Sequence, residues 1–151
     1  MRPRRRHVQE NQWEEVTLTV DSGASETVGP PSMASSVPIQ DSAASLAGKE
    51  YEVANGDSIP NLGEKRCLLQ NEGGSEKLLT VQMCDVHKPL LSVSKLCGSG
   101  HAVVFHPEWS FIENLATGER MTLEQKNGLY ELKAWVKGAP GSRQGFTRPG
   151  R

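Results

Sequence analysis

Val16, Leu18 and Val20 alternate with Thr17 and Thr19. This period of two predicts a half-buried strand over residues 13–20, with the threonines on its outer face. The strand stops at Asp21-Ser22-Gly23-Ala24-Ser25, a run of small residues after one carboxylate. Thr27-Val28 re-enters the sheet before Gly29-Pro30-Pro31 breaks it. Residues 32–48 are rich in Ser and Ala and show no period, with room for one helical turn near Met33-Ala34. Lys49 to Ala54 reads as a strand, Asn55-Gly56 as a hairpin-turn dipeptide, and Leu62 to Leu69 as the returning strand. A turn at Glu72-Gly73-Gly74-Ser75 leads into a strand over Leu78 to Val86, which Lys88-Pro89 ends. Leu91 to Leu96 suits a short helix. Ala102 to Phe105, Ser110 to Glu113, Glu119 to Leu123 and Leu129 to Trp135 are further strands, with turns at Thr117-Gly118 and Asn127-Gly128. Many short strands with frequent turns predict a mostly β fold, a closed barrel with one short helix.

Charge divides the chain more than its net value of −1 suggests. Residues 1–12 carry four Arg and one Glu, and residues 137–151 one Lys and three Arg with no acid. The body between them carries nine basic and 17 acidic residues. That separates a domain over 13–136 from a basic N-terminal arm (1–12) and a Gly/Pro/Arg tail (137–151), both read as flexible. An acidic body argues against a nucleic-acid-binding domain and leaves only the basic ends to touch nucleic acid. The run Met1 to Arg6 has the composition of a nuclear-targeting or RNA-touching arm, but such a run is more often a solvated linker. No apolar stretch follows it as in a secretory signal, and none approaches membrane-spanning length. Cys67, Cys84 and Cys97 are odd in number and widely spaced, which implies no disulfide framework and favours a reducing, cytoplasmic compartment, with the nucleus left open. Aromatic residues make up only 5% of the chain, so the core is thin and burial against a partner subunit is favoured.

A carboxylate on a tight turn at the end of a buried strand is the part an aspartic protease needs. Gly23 is expected to supply a backbone angle that residues with a Cβ avoid. Asp21-Ser22-Gly23-Ala24 resembles the Asp-Thr/Ser-Gly-Ala signature of retroviral-type aspartic proteases, the retropepsins. Tyr51 to Pro60 lies where such proteases carry their flap, which places Ala54, Asn55 and Gly56 at its tip. Leu90 to Leu96, Gly100 to Phe105, Thr117-Gly118-Glu119 and Asn127 to Leu132 resemble the protease region of copia-type retrotransposon polyproteins. The resemblance spans roughly residues 14 to 136. Ser92 stands where retropepsins usually have Gly, as in copia-type relatives, a departure expected to matter little for the chemistry.

The resemblance implies an endopeptidase that needs two carboxylates, about 3 Å apart, sharing one proton. One activates water and the other donates to the peptide oxygen. Asp41-Ser42-Ala43 lacks the glycine, and Asp57-Ser58-Ile59 falls in the flap, so neither supplies a second loop. The second carboxylate is then Asp21 of another copy across a two-fold axis. Ser22 is expected to brace the turns across that axis. The implied partners are a second copy and an extended polypeptide, the polyprotein that contains the chain, and no cofactor is implied.

Other readings are weaker. Cys84, His87, Cys97 and His101 are metal-capable, but their spacing matches no known zinc motif and both cysteines suit burial. Gly23 to Thr27 lacks the second glycine of a serine-hydrolase elbow. A phosphorylation-dependent motif at Asp21-Ser22-Gly23 would need unstructured chain, not the end of a strand. The serious rival is a catalytically inactive retropepsin-fold module that dimerises or binds partners.

Overall fold

The computed structural model describes residues 12–53 and 55–140. Most of the basic arm, the tail from residue 141 and Ala54 lie outside the described residues. The strands are β1 (Glu14–Asp21), β2 (Val28–Gly29), β3 (Glu50–Glu52), β4 (Ser58–Pro60), β5 (Gly63–Asn71), β6 (Glu76–Met83), β7 (Leu90–Ser92), β8 (His101–Val104), β9 (Ser110–Asn114), β10 (Arg120–Lys126) and β11 (Leu129–Gly138). Two short helices, α1 (Ala43–Leu46) and α2 (Val93–Gly98), complete them.

Six strands close into a barrel in the order β1-β7-β2-β6-β5-β11, and β11 returns to β1. The closing pair is antiparallel, from Glu14 opposite Val136 to Val20 opposite Tyr130. β5 and β6 form the long hairpin, from Gly63 opposite Met83 to Gln70 opposite Glu76. Beyond β11 the sheet continues through β10 and β9 to β8. These last strands share the barrel's core: Ile112, Met121 and Leu123 join Leu18, Leu69, Val81, Met83, Leu91, Leu132 and Val136 in one buried cluster. The strands after Phe105 therefore both complete the barrel and enlarge its core.

β5 shows how alternation builds the wall. Gly63, Lys65, Cys67, Leu69 and Asn71 are buried, and the residues between them are half-buried or exposed. Lys65 obeys the pattern despite its charge. Its ammonium donates to the carbonyls of Pro31, Met33 and Ala34 at 2.9, 2.8 and 3.0 Å. The Glu14 carboxylate accepts the amides of Ala34 and Ser35 at 2.9 and 3.1 Å from the other side. The loop from Pro30 to Val37 is thus pinned to the barrel by two charged side chains. Burial pushes Lys65 below the ordinary lysine range, opposed by Cys67 and Glu14, and pushes the Cys67 thiol up to about 11.

Several sequence expectations change. Leu62–Leu69 is not the return of the Asn55-Gly56 hairpin: β4 returns it, and β5 belongs to the barrel. Leu91 and Ser92 are strand, paired with β1, and the helix starts at Val93. The strand predicted to Val86 ends at Met83. Met33-Ala34 lies in a non-helical turn, with Ala34 at φ 52°, and the helix of this region is α1, capped by Ser42. Thr19 is buried rather than exposed, in a stretch of β1 that is paired on both edges, with β11 and with β7. β11 runs on through Lys137 and Gly138, residues assigned to the tail.

Candidate active site

Asp21 is the last residue of β1, paired in parallel register with Ser92 of β7. Its Oδ1 accepts the Gly23 amide at 2.7 Å, which fixes the carboxylate over its own turn. Gly23 is not in the left-handed region, so the expected special backbone angle is absent. Its smallness serves proximity instead, since a Cβ there would stand 3.3 Å from that same Oδ1. Ser22 is exposed on the turn and Ala24 half-buried.

Beneath the turn lies Ser92, wholly buried. Its hydroxyl donates to the Ala24 carbonyl at 2.7 Å and accepts the Lys95 amide at 3.1 Å. Its own amide donates to Thr27 Oγ1 at 3.0 Å. One hydroxyl thus ties the Asp21 turn to the first turn of α2, a link that glycine could not make. The packing of the helix beneath the turn, left open by the sequence, is thus set by Ser92.

The β3–β4 hairpin faces this turn. Tyr51 is opposite Ile59, and at the tip the Val53 amide donates to the Asp57 carbonyl at 2.8 Å and the Gly56 amide to Val53 at 2.9 Å. Asn55 Oδ1 accepts the Asp57 amide at 2.9 Å, and its Nδ2 donates to the Asp57 carboxylate at 3.0 Å. Gly56 has φ 90°, a conformation that suits glycine.

The hairpin root is held by buried Asn61, which the sequence reading missed. Asn61 Nδ2 donates to the Tyr51 hydroxyl at 2.9 Å and to Gln82 Oε1 at 2.8 Å. Its Oδ1 accepts the Gly63 amide at 2.8 Å and the Ser42 hydroxyl at 3.2 Å. Both donors and both lone pairs are used. Burial raises the Tyr51 hydroxyl above the ordinary tyrosine range; the Asn61 bond opposes this and nearby Glu26 adds to it. Glu26 also pairs with Lys49, just before β3, and with Lys95 of α2, both at 3.6 Å.

Between turn and hairpin lies a cleft of about 560 Å³, whose walls include Asp21, Gly23, Tyr51, Val53 and Ile59. A second concavity of about 480 Å³ also borders Asp21, with Ser22, Phe105, Leu129 and Tyr130 on its walls. The structure thus brings Asp21, Gly23 and Ala24 to the cleft and puts Asn55 and Gly56 at the tip of its roof. Asp57 is at that tip and Asp41 is exposed beside α1, so neither provides a second turn like that of Asp21. Among the described residues no group of three His, Cys, Asp or Glu side chains is placed to hold a metal, and no helix is long and apolar enough to cross a membrane. Cys84 is buried and Cys97 exposed on α2. No family model matches the chain, and no curated protein or solved structure matches it either.

Proposed function

We propose that the chain is an aspartic endopeptidase of the retropepsin type, active as a homodimer, which processes a copia-type retrotransposon polyprotein containing it. The observation that carries this reading is a carboxylate fixed on a barrel-strand turn and facing a cleft roofed by a hairpin. An extended peptide in that cleft is gripped through main-chain hydrogen bonds, with pockets for alternate side chains. One Asp21 takes a proton from water, whose oxygen attacks the peptide carbonyl. The protonated Asp21 of the second copy donates to the carbonyl oxygen. Collapse of the tetrahedral intermediate breaks the C–N bond, and a proton passes to the leaving amine. Ser22 is exposed at the turn, and in this reading it braces one turn against the other.

The test is cleavage of a diverse peptide mixture by the full chain and by Asp21→Asn, each above and below its dimerisation concentration. We expect cuts that disappear with Asn and fall faster than linearly on dilution. A folded, dimeric wild type that makes no cuts would overturn the enzyme reading in favour of an inactive binding module.

A further inference from the structure

Asp21 stands between two concavities, and a dimeric protease gives each an occupant. The substrate requires the cleft beneath the hairpin, where main-chain groups can grip an extended chain. A second Asp21 about 3 Å away must then approach from the other side of the turn. That side is the concavity walled by Ser22, Phe105, Leu129 and Tyr130. A two-fold axis beside Asp21 sets this wall, which also carries Lys88 at its border, against its own copy, so its apolar residues meet each other.

The composition of this wall fits burial against another copy. Phe105 and Leu129 are each 41% exposed, and the Phe105 ring packs on Tyr130 with centroids 4.8 Å apart. The other exposed large apolar residues, among them Ile39, Leu46, Leu62 and Trp109, border neither concavity. The β10–β11 turn puts Leu129 beside the active-site turn, because Val20 is already opposite Tyr130. We propose that Phe105, Leu129 and Tyr130 form the seat of a second copy of this chain, so that the residue following β8 and the start of β11 build the interface that completes the dyad. This rests on the protease reading above.

Analytical ultracentrifugation of the full chain tests it, with Leu129→Lys, Phe105→Ser and, as a surface control, Leu46→Lys. Circular dichroism melting confirms that each variant folds. We expect the first two to weaken dimerisation about a hundredfold, as loss of a central apolar anchor does, and the control to leave it unchanged. Cleavage by the first two should return at high protein concentration with wild-type turnover per dimer. Folded Leu129→Lys and Phe105→Ser that dimerise as tightly as wild type would overturn the seat and leave the protease reading standing. A wild type that stays monomeric and inert at every concentration would overturn both.

Discussion

The Asp21 turn and the hairpin above it are anchored in opposite ways. The turn is fastened from below to buried Ser92, which is itself held by buried Thr27. Among the described residues the hairpin is fastened at its root, by Asn61 and by the Lys49–Glu26 pair, while its tip bonds to itself through Val53, Asn55, Gly56 and Asp57. A buried, fully bonded polar group rigidifies its surroundings, whereas exposed local bonds open at little cost. For the protease proposed above, the contrast assigns a fixed carboxylate and a hinged cover. In a protease this division lets substrate enter without disturbing the carboxylate.

The sharpest challenge to that contrast is Asn61→Leu. It strips partners from Gln82, Ser42, Tyr51 and the Gly63 amide and should cost about 3 kcal/mol in chemical denaturation. If Asn61 is the hinge of the cover, KM should rise several-fold with kcat nearly kept. Ser92→Ala should cost about 2 kcal/mol, by loss of two bonds to its hydroxyl, and act mainly on kcat. An Asn61 variant that lost turnover, or a Ser92 variant that lost only affinity, would reverse the assignments. Gly56→Ala should cost about 1 kcal/mol at most, because a Cβ is disfavoured at that positive φ although it meets no neighbour. Faster amide exchange at the tip but not at the root would locate that effect. Glu26→Gln, which removes two partly exposed ion pairs, should change stability by less than about 0.5 kcal/mol, measurable only as a small shift in denaturation midpoint.

Alternation and turn chemistry made most of the barrel legible. β1, β9, β10 and β11 lie within a few residues of the runs that predict them, and Gly56, Gly118 and Gly128 all adopt positive φ in the turns assigned to them. Three-residue strands were harder. β4 and β7 are too short to display a period, so the sequence pattern runs the hairpin return into β5 and most of β7 into the helix. The site divides likewise. Asp21 and Gly23 announce themselves by their neighbours in sequence. Ser92 and Asn61 act through partners far along the chain, Ala24 and Thr27 for one and Ser42 and Gln82 for the other, and no local pattern encodes those meetings. Lys65 shares the buried face of β5 with Cys67 and Leu69, and its charge is answered there by three carbonyls.

The pairing of the first strand with the last also sets a clock. β1 cannot find β11 until on the order of a hundred further residues have been made, and pairings of such separation form late. At ribosomal speeds of about 5 to 20 residues per second, the nascent chain carries an open barrel for on the order of ten seconds. Until Gly138 has emerged, the turn bearing Asp21 has its β7 side available but not its β11 wall, nor Leu129 beside it. For the protease proposed above, the site stays incomplete until its last strand has been made, with that timing written into the order of its strands.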